Sequence, residues 1–228
     1  MKAFFTIVLL TLISFTLIII FSKAPILIID TPITFGQNRI DLTKKYIKEH
    51  YDLNVSHITI DPKMVVLHWT EDANVTRSFE LFNPEILTQH SQKVKDAGQL
   101  NVSAHFLIDK EGHIFRLMPE TSMGRHVIGL NYHAIGIENV GGVKVDGQAQ
   151  PDLTPAQARA NIELVAHLKK KFPKIEYLIG HYEYQRFEKH PLWMEKDKGY
   201  RTVKDDPNPE FVDSIYQAVK DLGLKRAP

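Results

Sequence analysis

The feature that most constrains the fold is a series of short apolar runs that alternate with helix-like segments. The clearest run, Met64–Leu67, is apolar at every position and leads directly into His68-Trp69-Thr70. An uninterrupted apolar run of this length is typical of a strand that is buried on both faces of a sheet. The sequence therefore predicts a central sheet that is covered on both sides.

Further strands follow along the chain. Val102–Ile108 and His113–Met118 flank the turn sequence Asp109-Lys110-Glu111-Gly112, which predicts a hairpin whose turn ends at the glycine. Residues 135–140 (IGIENV) form another strand-like run, and residues 177–179 form a last short one. One hairpin among otherwise separated strands indicates a mixed sheet rather than a purely parallel one.

Helices are predicted at residues 40–51, at residues 75–82, from Thr154 up to Pro173, and from Asn208 to Gly223. The third has the strongest local signals, because Thr154 is a good N-cap, a proline occupies the first helical position, and Gln157 completes a capping box. Together these elements predict one α/β domain with a central mixed β-sheet flanked by helices.

Composition narrows the chemistry. The chain has 228 residues, of which 43% are hydrophobic, enough for one domain with a real core. Its formal net charge of +1 gives no strong field for nucleic acid, and we predict no nucleic-acid partner. It contains no cysteine, which excludes disulfides, thiolate metal sites and a cysteine nucleophile.

The amino terminus predicts export. After Lys2, residues 3–21 carry no charge, and such a start is typical of a signal peptide or of an N-terminal membrane anchor. Both interpretations stay open, and both place the body of the protein in the periplasm or cell envelope. We therefore expect a signal peptide or anchor at residues 1–24, an extension with a short helix at 25–62, and the functional domain at 63–224.

Three polar residues stand out in this pattern. His68 and His181 each follow an apolar strand, where side chains emerge at the rim of an α/β sheet, and Asp206 lies in the loop before the last helix. Two imidazoles and a carboxylate suit a catalytic Zn²⁺, which takes three protein ligands and keeps one position open. The spacing of these residues does not by itself exclude the ordinary alternative, in which the histidines are surface or core residues that bind no metal.

The order of motifs adds a resemblance. The chain resembles the type 2 N-acetylmuramoyl-L-alanine amidases, which are related to the peptidoglycan-recognition proteins and to amidase-type phage lysozymes. The matching motifs follow the family order: VVLHWT (65–70), SAHFLIDKEG (103–112), GRHVIGLN (124–131), IGIENVGG (135–142), LTPAQ (153–157), LIGHYE (178–183) and KDDPNPEF (204–211).

The resemblance implies roles for individual residues. The zinc ligands fall on His68, His181 and Asp206, with the adjacent Asp205 as the alternative to the last. The catalytic glutamate falls on Glu138 and the catalytic lysine on Lys204. Some relatives carry a catalytic tyrosine where this chain has Ala104, so the glutamate-bearing subgroup is the better match.

The resemblance also implies a substrate, peptidoglycan or its muropeptide fragments, cut between N-acetylmuramic acid and L-alanine. Candidate substrate contacts are His126, Thr70, Asn131 and Trp193. His105 is expected to order its strand or to support the metal ligands from behind.

The connector at residues 183–203 is longer than in many relatives, and we expect it to form a lid or a wall of the groove, with Tyr200 as another contact.

Two other classes of function remain. Some peptidoglycan-recognition proteins keep the fold but lack a metal ligand, so a binding module without hydrolysis is the main alternative. A membrane-tethered structural protein would account for the amino terminus, although it would leave the motifs unexplained.

Overall fold

A computed structural model describes residues 25–88 and 91–228, and within them the predicted strands form one mixed sheet of six strands. The strands are β1 (Ile28–Asp30), β2 (Met64–Trp69), β3 (Phe106–Ile108), β4 (Ile114–Arg116), β5 (Ala134–Asn139) and β8 (Tyr177–Gly180), in the spatial order β1-β4-β3-β5-β2-β8. A separate hairpin joins β6 (Lys144–Val145) to β7 (Gln148–Ala149). Strands β3, β5, β2 and β8 run parallel, whereas β4 is antiparallel to β3 and parallel to β1.

Helices cover both faces of this sheet. They are α1 (Gln37–Tyr51), α2 (Val75–Phe82), α3 (Gln92–Asp96), α4 (Pro155–Lys171) and α5 (Pro209–Ala218), with 3₁₀ turns at residues 131–133, 181–187 and 220–222. The predicted fold class, a single α/β domain with a mixed sheet between helices, is confirmed.

Strand β2 shows why both faces need helices. All six of its residues are buried. Val65 and Leu67 pack into the cluster formed with α4 and α5, whereas Val66 packs into the cluster formed with α1. Since successive side chains of a strand point to opposite faces, an apolar residue at every position is what a central strand of a three-layer structure requires.

Helix α4 begins as the sequence predicts. The Thr154 hydroxyl accepts a hydrogen bond from the backbone N–H of Gln157 (3.1 Å), and the Gln157 side chain accepts one from the N–H of Thr154 (2.9 Å). This reciprocal capping box is confirmed, as are the bounds of α2.

Helix α1 begins three residues earlier than its pattern predicts, at Gln37 rather than at Ile40. The cause is a carboxylate far away in the sequence. Glu85 accepts hydrogen bonds from the backbone N–H groups of Gly36 (2.9 Å) and Arg39 (3.3 Å). It thus satisfies donors that a local cap would otherwise serve, and it brings a negative charge to the helix amino terminus.

The predicted hairpin is confirmed, but its strands are shorter than expected. Regular pairing covers only residues 106–108 and 114–116. The residues before β3 form hydrogen bonds to a different segment. The backbone N–H of Ser103 donates to the carbonyl of Arg125 (3.0 Å), and the Ser103 hydroxyl accepts from the Arg125 N–H (3.2 Å). The residues before β3 therefore pair with the loop that contains Arg125 rather than with a strand, and β3 begins only at Phe106.

Strand β1, which the sequence pattern did not predict, extends the sheet on the β4 side. In register, Ile28 lies beside Ile114, Ile114 beside Ile108, and Ile108 beside Asn139, which in turn lies beside Trp69. The beginning of β1 therefore lies at the same edge of the sheet as the carboxyl ends of β5 and β2.

The predicted signal peptide or anchor at residues 1–24 lies outside the described residues. Among the helices of residues 25–88 and 91–228, none combines the length and the apolar character needed to cross a bilayer.

Candidate metal site and cleft

The two strand-end histidines come together because their strands are parallel neighbours. His68 lies near the end of β2, and His181 follows Gly180, the last residue of β8. Leu67 pairs with Gly180 in register, so both imidazoles emerge side by side at the carboxyl edge of the sheet. The loop before α5 returns to the same edge, and there the Asp206 carboxylate joins them.

Three ligand atoms form a nearly equilateral triangle. The Nδ1 atoms of His68 and His181 lie 3.0 Å apart, and Oδ2 of Asp206 lies 3.3 Å and 3.0 Å from them. A tetrahedral zinc with bonds of about 2.0–2.1 Å would place its ligand atoms ~3.3 Å apart. All three residues are buried, and the neighbouring Asp205 is exposed. The residues present therefore fit a zinc ion.

The protonation states suit metal binding. Burial lowers the pKa of His181 to about 3, so the ring is neutral at neutral pH and one of its nitrogens carries a lone pair. Burial alone would raise the pKa of the Asp206 carboxyl, but the His181 and His68 rings outweigh it and hold that pKa well below its usual value. The triangle thus includes a neutral His181 ring and an anionic Asp206 oxygen.

Glu138 lies beside this triangle on β5, where it pairs in register with His68. Burial, together with the negative charge of Asp206, raises its pKa well above the usual value, while the positive charge of Lys204 acts in the opposite direction. Within the described residues its Oε2 is buried and has no hydrogen-bond partner. A carboxylate held in this way is a strong proton acceptor.

The triangle and Glu138 open into a cleft of about 520 Å³. The apolar part of its lining, which we call the apolar wall, includes Leu81, Phe82 and Val203, the last of which is 94% exposed. The lining also carries charges, among them Lys204 and the ion pair of Lys144 with Glu71 (2.9 Å). The sequence analysis missed this ion pair, and in the structure Glu71 has a positive φ of 57°.

Two of the four candidate substrate contacts reach this cleft. Thr70 lines it, with its hydroxyl donating to the carbonyl of Asp72 (2.9 Å) and accepting from the N–H of Gly141 (3.3 Å). His126 also lines it, and its Nδ1 lies 3.0 Å from Nε2 of His68.

The other two candidates, Asn131 and Trp193, are not among the residues that line this cleft. Asn131 is buried, and its side-chain oxygen accepts from the backbone N–H groups of His126 (2.9 Å) and Val127 (2.7 Å). Trp193 stacks on Tyr184 and packs against Gly129, away from the residues that line the cleft. Asn131 therefore supports the main chain at His126, and it also lines a smaller adjoining cavity that shares His126, His181 and Lys204 with the cleft. Trp193 supports the loop with Gly129.

The long connector at residues 183–203 contributes to the wall only at its end. Tyr184, Phe187 and Tyr200 are buried in the core on the α1 side, whereas Thr202 and Val203 line the cleft. Tyr200, expected as a substrate contact, packs in this core, accepts a hydrogen bond from Arg125 (3.3 Å), and lines the smaller cavity that also contains Asn131 and His181.

Arg125 is a buried side chain that motif reading alone did not single out. Its guanidinium donates to the carbonyls of Val94 (2.7 Å), Gly98 (3.2 Å) and Leu100, and it also lines the cleft. It therefore ties the α3 region to the loop that carries His126.

His105, expected to order its strand, is fully buried and makes two hydrogen bonds. Its Nδ1 accepts from the N–H of Gly136 (3.0 Å), so Nε2 carries the proton and donates to the carbonyl of Ser122 (2.9 Å). Protonation of Nδ1 would break the first of these bonds.

Acid is therefore expected to destabilise the protein through His105. Burial lowers its pKa to about 4, whereas an unfolded histidine titrates near ~6.5. Between these values the unfolded chain binds a proton that the folded chain does not, so the free energy of unfolding falls as the pH falls, by up to ~1.4 kcal/mol per pH unit.

Urea unfolding measured between about pH 4.5 and pH 7 checks this expectation. His105→Gln should make the dependence of stability on pH shallower, whereas His57→Gln, at an exposed position, should leave it as in the parent chain. Equal slopes in the two variants would contradict the assignment.

Comparison with known proteins agrees with this arrangement. The N-acetylmuramoyl-L-alanine amidase family profile matches residues 58–209. The endolysin of Klebsiella phage KP32 is 33% identical over 87 residues, which cover 38% of this chain and 58% of that protein. The endolysin of Escherichia phage T7 is 33% identical over 78 residues, 34% of this chain and 52% of that protein. The chain thus spans little more than half the length of these relatives.

A solved structure of AmpD has the same fold. The superposition has a TM-score of 0.52 at 20% sequence identity and covers 84% of this chain and 93% of AmpD. The family profile extends over about two thirds of the chain and includes His68, Glu138, His181 and Asp206. This chain belongs to the type 2 N-acetylmuramoyl-L-alanine amidase family.

Proposed function

We propose that this protein is a zinc-dependent amidase that hydrolyses the bond between the lactyl group of N-acetylmuramic acid and L-alanine in peptidoglycan or its fragments. The observation that carries the proposal is the buried triangle of His68, His181 and Asp206 with Glu138 beside it at the base of an open cleft. Family membership supports the same reaction.

In this proposal the three triangle residues would hold the zinc. Bound there, zinc supplies Lewis acidity, which polarises a substrate carbonyl and acidifies a water molecule. The neutral His181 ring and the ionised Asp206 carboxylate are in the protonation states that such ligands require.

Glu138 moves the protons of the reaction. As a buried carboxylate with a raised pKa, it takes a proton from the attacking water and passes it to the departing L-alanine nitrogen. The amine thus leaves as a neutral group, and Glu138 returns to its ionised form. Such general acid–base catalysis typically contributes about 10²–10⁴-fold to the rate.

Lys204 supplies positive charge at the same place. It lines the cleft, and its charge is felt at Glu138, where it opposes the rise in the pKa. A cation at this position stabilises the negative charge that develops on the carbonyl oxygen of the scissile amide. The apolar wall with Leu81, Phe82 and Val203 is suited to the lactyl group and to alanine methyl groups.

The compartment is part of the proposal. An amino-terminal export segment at residues 1–24 would place the domain in the periplasm or cell envelope, where its substrate is, either as a free protein or anchored to the inner membrane.

The test uses the purified full chain and a muramyl tripeptide. The zinc-loaded protein should release the free tripeptide, identified by mass spectrometry, and a chelator should abolish the release until zinc is returned. Asp206→Asn should lose both zinc and activity, whereas Asp205→Asn, a matched change at the exposed neighbour, should keep both.

Each result discriminates between functions. Binding of the muramyl peptide without release of its stem would support the non-catalytic binding module instead. Full activity in the presence of the chelator, or in Asp206→Asn, would refute the zinc mechanism.

A further inference from the structure

The ring of His126 contacts the proposed metal ligand His68 from the side opposite the metal position. Nδ1 of His126 lies 3.0 Å from Nε2 of His68, and the two rings are nearly perpendicular, at 86°. The other nitrogen of His126, Nε2, lies 3.4 Å from the carbonyl oxygen of Ala134. His126 therefore links a main-chain carbonyl to the metal ligand.

The surrounding residues hold His126 in this position. A Cβ atom at Gly136 would lie 2.8 Å from the His126 ring, so only glycine leaves room for it there. Asn131 accepts hydrogen bonds from the backbone N–H groups of His126 and Val127, which fixes the local main chain. The His105 ring, itself fixed by two hydrogen bonds, packs edge-on against the His126 ring at 5.7 Å.

The order of donors and acceptors determines where the protons lie. A carbonyl oxygen only accepts, so Nε2 of His126 carries a proton and, in the neutral ring, Nδ1 accepts. Nε2 of His68 must then be the donor between the two rings. The His68 proton is thereby kept on Nε2, and the lone pair on Nδ1 faces Nδ1 of His181 and the Asp206 carboxylate.

We propose that His126 is a positioning residue that fixes the tautomer and orientation of His68 for metal binding, rather than mainly a substrate contact. The inference rests on the proposed zinc site. Hydrogen-bonded partners of this kind typically contribute about 10–100-fold to metal affinity. His181 is different, since within the described residues its buried Nε2 has no hydrogen-bond partner.

Zinc affinity of the full chain, measured by competition with a chromophoric chelator, tests the proposal. His126→Phe keeps a ring but removes the acceptor, and it should weaken zinc binding by about 10–100-fold. His126→Gln, which restores an acceptor oxygen, should recover most of this loss. Thermal unfolding of the zinc-free proteins shows whether each variant is folded. If His126→Phe is poorly folded, the zinc affinity of His126→Gln is compared with that of His126→Leu instead.

A second readout separates positioning from substrate contact. In the ¹⁵N-histidine spectrum of the zinc-loaded protein, the Nε2–H signal of His68 should be protected from exchange with water, and this protection should disappear in His126→Phe. Unchanged zinc affinity and unchanged protection in His126→Phe, with only KM raised, would overturn the proposal and leave the zinc amidase intact. A parent chain that binds no zinc would instead overturn the proposed function itself.

Discussion

Glu138→Gln is expected to lower kcat on a muramyl peptide by about 10²–10⁴-fold while zinc stays bound. Glutamine has nearly the same shape as glutamate but cannot take up the proton of the attacking water. Because Glu138 lies beside the triangle and is not one of its three atoms, the metal affinity should change little. The measurements are steady-state kinetics and zinc stoichiometry on the same preparation.

Glu120→Gln is the matched control. Glu120 is also a buried carboxylate, but it pairs with Lys171 (2.9 Å) and Arg116 (3.3 Å) away from the cleft. Its replacement should lower stability without lowering kcat. A Glu138→Gln enzyme with the kcat of the parent would exclude Glu138 as the proton carrier.

Arg39→Met is expected to destabilise the fold by about 3 kcal/mol or more. Arg39 projects from α1, is 1% exposed, and donates to the carbonyls of Thr34 (2.8 Å), Phe82 (3.0 Å) and Pro84 (2.6 Å). Methionine would fill much of the same volume but would leave the buried carbonyl of Phe82 without its donor, which costs more than the lost bond itself. The carbonyl of Pro84 would keep a hydrogen bond from Asn101 (2.8 Å). Burial lowers the pKa of Arg39 to about 10, and the negative charge of Glu85 acts in the opposite direction.

Denaturant unfolding of Arg39→Met and of Arg77→Met measures this effect. Arg77 is an exposed arginine of α2 that forms a surface ion pair with Asp72 (2.7 Å), so its replacement should cost less than ~1 kcal/mol. Because Phe82 is part of the apolar wall, Arg39→Met should also weaken substrate binding. Equal stabilities of the two variants would contradict the role assigned to Arg39.

The parts of the fold that sequence analysis anticipated depend on local signals. The uninterrupted apolar run of β2 predicts a central strand, and the capping box of Thr154 and Gln157 predicts the start of α4. The site residues His68 and His181 were noticed because each follows a short apolar strand, and parallel pairing of β2 with β8 then brings them together. In these cases the determining contacts lie within a few residues or follow from one rule of sheet geometry.

The parts that were missed depend on partners far apart in the chain. The start of α1 is set by Glu85, and the guanidinium of Arg125 is held by carbonyls more than twenty residues away. Trp193 belongs to a conspicuous sequence neighbourhood, yet its side chain packs against Gly129, far from it in the sequence. Periodicity carries no information about such contacts, because the folded main chain alone determines which distant groups meet.

The position of β1 offers a way to observe the metal site by fluorescence. Leu27, just before this strand, is 75% exposed, and β1 begins at the same sheet edge as the triangle, four strands from β2. At ~4.8 Å per strand the separation is about 19 Å. Since the chain has no cysteine, Leu27→Cys would introduce a unique attachment point for a dye. Quenching of the dye fluorescence by Co²⁺ bound at the triangle would then report occupancy of the metal site without any substrate.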